Sequence, residues 1–343
     1  MRVTQQDIAK IASVSQATVS RVLAGDEKVE PTIRERVVEA MRAHNYQPDV
    51  RARSLRSKRT NLIGLVLNRP AGGLNDDPFF AGLIAEILDV LSNTPYHLCL
   101  DMTTSEAGQS AVYDDMLRTR RVDGLILVES EATDYRINRL QTDKFPFVLI
   151  GNPLNSDQIH SVDNDNVLAA ETATRHLIEQ GYERVGFLAG RSGVTVSDDR
   201  VAGYQKAMHA AGRPDLIWHA DFGANAAKNA ARSIFASSDR PDAMVVLDDY
   251  MALGVMSAAR ESGLRVPEQL GLVGFNDSHL CELIEGGLSS VSLNMVQIVR
   301  VACARLLEIL DGESDWNARR VIVPSSLKVR GSSNRLRNSG GVA

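Results

Sequence analysis

From Asn61 onward, short apolar runs alternate with amphipathic stretches. LIGLVL (62–67), HLCL (97–100), GLILV (124–128), FVLIG (147–151), RVGFLAG (184–190), AMVVLD (243–248) and LGLVGF (270–275) are the apolar runs. Continuous Val/Ile/Leu runs mark strands buried on both faces, as in parallel sheets lying between helices. Helical spacing falls between them, near 79–92, 106–119, 165–180, 198–211, 224–236 and 250–262. Two successive strand–helix series, about 61–160 and 164–290, predict two doubly wound α/β lobes. SSVSLNMVQIVRVACARLLEIL (289–310) and RVIVPSSLKVR (320–330) remain. They are expected to return a helix and a strand to the first lobe and a last strand to the second, giving about three crossings between lobes. The body then spans 61–331, with lobe 1 at about 61–162 and 293–322 and lobe 2 at about 163–292 and 323–331. The polar tail 332–343 is expected to be flexible.

The first 46 residues carry a different pattern and predict a separate all-α domain of three short helices. Thr4 and Asp7 have the spacing of a capping box, and Ile8, Ala9, Ile11 and Ala12 give the helix they open an apolar side. The second helix runs from about Gln16 to Ala24, and Gly25 ends it. The third opens at Pro31 or Thr32, spaces Ile33, Val37, Val38 and Met41 helically, and can end at Asn45. At about 100° per residue, Val19, Val22 and Leu23 share one side of the second helix, while Gln16, Ala17, Ser20 and Arg21 share the other. Small residues let a helix backbone approach closely, Arg suits guanine edges and Gln suits adenine edges. Ser15 and Thr18 suit phosphate oxygens beside a helix N-terminus. The set fits a helix-turn-helix with its second helix in the major groove of double-stranded DNA.

Charge sharpens this picture. The chain of 343 residues has a net charge of −5, which argues against a general nucleic-acid coat. Yet residues 1–60 hold twelve Lys/Arg against seven Asp/Glu, so a basic head precedes an acidic body. A polyanion partner is expected for the head alone. Cys99, Cys281 and Cys303 lie far apart with no zinc spacing, the seven histidines show no metal spacing, and no cofactor or metal is expected. There is no GxxxxGK[ST], HExxH or GxSxG motif, so an enzyme is not expected. No run approaches the ~20 apolar residues of a membrane span, and no apolar leader precedes a cleavage site; a cytoplasmic location is expected.

TQQDIAKIASVSQATVSRVLAG, continued by VEPTIRERVVEAMRAHNYQPDVRARSLRSKRTNLIGLVL, resembles the LacI/GalR family of bacterial transcriptional regulators, and the likeness extends to about Arg330. The resemblance implies that Gln16, Ala17 and Arg21 read bases and that Ser15 and Thr18 contact phosphates. Ser13 stands where the family often has Gly in the turn. Residues 47–60 resemble the family's hinge helix, which forms on operator DNA when two subunits meet. There Leu55 would wedge into the minor groove, with Arg51, Arg53 and Arg56 beside it. The body resembles the periplasmic sugar-binding protein fold, with a small-molecule effector, a sugar by its chemistry, in the cleft between lobes. Asn68, Phe79, Asp165, Arg200, Phe222, Asp248 and Asp277 are the candidates there. Carboxylates accept hydroxyl donors, Arg donates to oxygens and aromatics cover C–H faces. Asp165 and Asp248 can equally cap helices, and Asp249 is expected to cap the helix beginning DYMALG. A homodimeric repressor on a pseudo-palindromic operator follows; a solute-binding protein or a sugar-acting enzyme is the alternative use of the same body.

Overall fold

The computed structural model describes residues 3–23, 25–46, 59–68, 78–153, 158–312 and 319–335. The chain divides into two compact units, 1–60 and 61–343. The first holds α1 (Gln5–Ile11), α2 (Gln16–Leu23) and α3 (Pro31–Ala43). Thr4 opens α1 with the expected capping box: Asp7 N–H donates to the Thr4 hydroxyl, and the Asp7 carboxylate accepts the Thr4 N–H at 2.9 Å. All three helices close with a left-handed residue, Ser13 at φ 51°, Gly25 at φ 73° and Asn45 at φ 46°. Val14 N–H reaches Ala9 C=O, Asp26 reaches Arg21 and Tyr46 reaches Met41, the long hydrogen bond of a Schellman closure in each case. Ile8, Val19 and Val37 are fully buried at the centre of this unit.

The second unit holds two six-stranded sheets. Its strands are β1 (Leu62–Asn68), β2 (His97–Thr103), β3 (Gly124–Val128), β4 (Phe147–Ile150), β5 (Ser161–Asp163), β6 (Val185–Ala189), β7 (Ile217–His219), β8 (Ala243–Val246), β9 (Gly271–Phe275), β10 (Ser289–Ser292), β11 (Arg320–Ile322) and β12 (Ser326–Lys328). The first sheet has order β11-β5-β4-β3-β1-β2, and its pairs are all parallel. The second has order β12-β10-β9-β8-β6-β7, parallel except for β12 against β10. The helices are α4 (Pro78–Leu91), α5 (Glu106–Thr119), α6 (Tyr135–Thr142), α7 (Asn166–Glu179), α8 (Thr195–Ala210), α9 (Ala224–Ala236), α10 (Asp249–Glu261), α11 (Leu280–Leu283) and α12 (Met295–Asp311).

Strand alternation sorts the cores. Ile126, Val128, Val148 and Ile150 face the cluster built with α4 and α12, while Leu125, Leu127, Phe147 and Leu149 face that of α5 and α6. In the second sheet, Val185, Phe187, Val245 and Val273 meet α7 and α8, and Leu188, Met244, Val246 and Leu272 meet α9 and α10. Those two helix pairs are close because a glycine sits at each crossing. A Cβ on Gly203 would lie 2.0 Å from Val167 C=O, and one on Gly254 would lie 2.0 Å from Ala224 C=O.

The three crossings fall at 163–165, 292–294 and 323–325, between elements of different sheets. One buried side chain binds all three. Asn164 Nδ2 donates to Leu293 C=O at 3.0 Å and to Val323 C=O at 2.7 Å. Val323 N–H in turn donates to Asp163 C=O at 2.8 Å. The tail is anchored further than expected. Gly331–Ser333 form a 3-10 turn; Ser332 and Ser333 are buried, and both hydroxyls bond to Ser289. Residues 336–343 lie outside the described residues.

Candidate functional site

Two places carry the candidate chemistry. In the first unit, α2 divides as its periodicity demands. Val19 and Val22 are buried, Val14 and Leu23 pack partly against them, and Gln16, Ala17 and Arg21 are exposed. Ser15 stands immediately before the helix, and its Oγ accepts Thr18 N–H at 3.1 Å. The hydroxyls of Ser15 and Thr18 also bond each other at 2.9 Å, so both are already oriented at the helix entry. Arg51, Arg53, Leu55 and Arg56 of the expected hinge helix lie outside the described residues.

In the second unit a cavity of about 760 Å³, counted to its open mouth, lies between the lobes at strand carboxyl ends. Phe79, Phe80, Ile150, Met295 and Ile298 line it from the first lobe, and Thr195, Arg200, Phe222, Leu247 and Asp248 from the second. Of the expected residues, Phe79, Arg200, Phe222 and Asp248 meet there. Asp248 also caps α10 by accepting Met251 N–H at 2.6 Å. The cap is therefore Asp248 and not Asp249. Asp249 is 1% exposed, accepts from the Ser290 hydroxyl and Ser278 N–H, and its carboxyl pKa is raised by burial.

Three expected residues stand elsewhere. Asp165 is exposed, and its carboxylate caps α7 through Leu168 N–H at 2.8 Å. Its place in the cavity is taken by Asp163, the last residue of β5, together with Asn164 and Asn166. Asp277 pairs with Arg330 at 2.7 Å, and its neighbour Asn276 lines the cavity instead. Asn276 and Asp277 have φ of 98° and 50°, so the chain turns sharply there and strand alternation no longer tells which side chain points inward. Asn68 lines an adjoining chamber rather than this one.

Arg200 is 4% exposed. Its guanidinium carbon lies 4.1 Å from the centre of the Phe275 ring, Nε donates to Asn166 Oδ1 at 3.0 Å and Nη1 donates to Leu247 C=O. Burial pushes this guanidinium down to about 10, against the pull of Asp163, Asp248, Asp249 and Asp199, so it stays a cation at neutral pH. Asn166 links it to Asp163, because Nδ2 donates to that carboxylate at 3.1 Å. Burial raises the Asp163 carboxyl to about 6; the Asn164 N–H and Arg200 oppose the rise. Fixed donors and acceptors thus ring an apolar centre, which is how a small polar ligand is oriented.

The lobes also bond each other beside the cavity. Thr195 N–H donates to Ser130 C=O at 2.9 Å, Ala132 N–H to Gly193 C=O at 3.1 Å, and Asn152 Nδ2 to Asp199 at 2.8 Å. Glu129, at φ 55°, begins this segment, and the buried Arg136, paired with Asp134 at 2.6 Å, donates to its carbonyl.

A helix-turn-helix unit joined to a two-lobed body with a cleft cavity defines a class, the DNA-binding regulator that carries its own ligand-binding domain. Residues 4–49 match the family described as "Bacterial regulatory proteins, lacI family", and 174–333 match a periplasmic binding protein-like domain. Catabolite control protein A of Priestia megaterium is 30% identical over 318 residues, 92% of this chain and 94% of that one. The ribose operon repressor of Halalkalibacterium halodurans is 31% identical over 327 residues, covering 95% and 96%. A lac repressor dimer structure, bound to operator and the anti-inducer ONPF, superposes with a TM-score of 0.84 at 25% identity, covering 97% of this chain and 99% of that one. The chain belongs to the lacI family of bacterial regulatory proteins.

Proposed function

We propose that the chain is a cytoplasmic, homodimeric transcriptional repressor whose hold on a pseudo-palindromic operator is set by a neutral sugar bound between its lobes. The observation that carries this reading is the division of α2. Its valines are buried, and Gln16, Ala17 and Arg21 are exposed behind a capped N-terminus. In this reading Gln16 and Arg21 reach base edges, Ala17 lets the backbone approach and Ser15 and Thr18 face phosphates. Leu55 wedges into the minor groove, with Arg51, Arg53 and Arg56 beside it.

The cavity supports the sugar. Glu129, Asp163 and Asp248 stand against the one cation Arg200 among the described lining, which favours hydroxyl donors and penalises a phosphate. Phe79 and Phe222 offer ring faces to C–H groups. Leu100 and Met102 on strand β2 and Leu283 on α11 are apolar and exposed, Leu283 at 76%; a second copy would cover them. The sugar acts only through differential affinity for the lobe arrangements that do and do not pair the hinge helices. Arg21→Ala, titrated by fluorescence anisotropy on the selected operator, should cost about 1–3 kcal/mol and relax preference at one base per half-site. An unchanged preference would remove Arg21 from the reading set.

A further inference from the structure

We propose that the effector spans at least two sugar units, the second seated in the polar chamber that adjoins the cavity on the first lobe. This rests on the sugar reading above. The chamber spans about 670 Å³, open space at its mouth included, and is lined by Asn68, Glu106, Gln109, Glu129, Tyr135 and Arg191 among others. Its floor is the carboxyl ends of β1 and β3, where the order of the first sheet reverses. Open α/β sheets bind ligands at that switch point. The main cavity holds the corresponding point of the second sheet, beyond β8 at Leu247 and Asp248. Each lobe therefore contributes its own crevice to one continuous cleft. Phe80, Val128 and Glu129 line both spaces, so a glycosidic link would pass there.

A buried side chain points to an occupant. Gln109 on α5 is 6% exposed and lines the chamber, and its side-chain amide makes no hydrogen bond among the described residues. An amide offers two donors and an acceptor, and here they stand open to the chamber for an occupant to meet. Vicinal hydroxyls match that set, with Asn68 nearby. Asp134 and Arg136 neutralise each other, and the carboxylates Glu106, Glu129 and Glu131 outnumber the remaining cation Arg191, which disfavours an anionic second unit. Arg191 reaches in from the other lobe, 6.0 Å from the ring of Phe222 in the main cavity. A two-unit ligand would thus touch both lobes in both spaces.

Isothermal titration of the full-length chain tests this with D-glucose, D-galactose, D-mannose and D-xylose against maltose, cellobiose, lactose, mannobiose and xylobiose. The expected result is one-to-one binding of a disaccharide about tenfold or more tighter than its own monosaccharides. Gln109→Ala should cut that ratio below about threefold. Phe222→Ala, at the main cavity, should weaken both members of the pair. If Gln109→Ala does not fold, as judged by circular dichroism, Asn68→Ala repeats the test. Equal binding of monosaccharide and disaccharide overturns the proposal while leaving the sugar reading intact. So does a stoichiometry of two monosaccharides, or an unchanged ratio in the variant. Binding of none of these sugars overturns both.

Discussion

Asn164 is the point at which the two lobes are tied, and Asn164→Ala measures how much that tie contributes. The side chain is 3% exposed, and its amide supplies both hydrogen bonds to the carbonyls of Leu293 and Val323. Leu293 and Val323 are themselves 6% and 3% exposed, so water does not simply replace the lost donor. A bond whose partners return to water costs only about 0.5–1.5 kcal/mol net, but each acceptor orphaned here under burial costs about 1–3 kcal/mol of desolvation not recovered. Partial relaxation of the crossings brings the expected loss to about 2–4 kcal/mol. Urea unfolding followed by tryptophan fluorescence reads that loss, and hydrogen exchange at 163–165, 292–294 and 323–325 should rise with it. Asn164→Asp should be worse than Ala, because a carboxylate would then face two carbonyl oxygens. A loss below about 0.5 kcal/mol, or an Asp variant milder than Ala, would refute the claim that these two bonds hold the hinge.

Further outcomes follow from the same geometry. Asp163 has a folded pKa raised to about 6 from 3.8, so the native state holds the extra proton between those values. Its contribution is fully present below the unfolded pKa and is lost as pH rises through about 6. Asp163→Asn should therefore gain stability relative to the parent between pH 4 and 6.5, by roughly 2 kcal/mol; a pH-independent difference in urea unfolding would contradict this. Ser13→Gly should stabilise the first unit by up to about 1 kcal/mol in thermal unfolding, because Ser13 occupies φ 51°; a lower midpoint would mean that the turn is not strained. Leu283→Lys should shift sedimentation towards the monomer; an unchanged dimer would move the interface away from α11.

Much of this architecture is legible in the chain. The strands of continuous Val, Ile and Leu and the amphipathic helices fall within a few residues of expectation, because burial on both faces dictates their composition. Several short elements escape that logic, three of them for reasons that can be named. β5 is only Ser161–Asp163, too short to show a period. β7 is Ile217–His219, equally short, on the edge of its sheet. α6 hides because one of its inward residues is Arg136, buried against Asp134, and a buried ion pair reads as surface in a sequence. The site shows the same limit. Family motif and strand end point to Arg200, Phe79, Phe222 and Asp248, and all four line the cavity. Asp165 and Asp277 each miss by one or two positions, since a carboxylate at a helix start or in a positive-φ turn is aimed by local backbone and not by sequence position. Ser332 and Ser333 look like tail, and only their partner Ser289, more than forty residues earlier, makes them core.

The most direct test of the central claim is selection of random double-stranded DNA by the full-length chain and by its Arg21→Ala variant. The parent should enrich a two-fold-symmetric site, and the variant should lose preference at one base in each half. Enrichment of no sequence by the parent, or identical preferences in both proteins, would contradict the assignment of α2 as the reading helix.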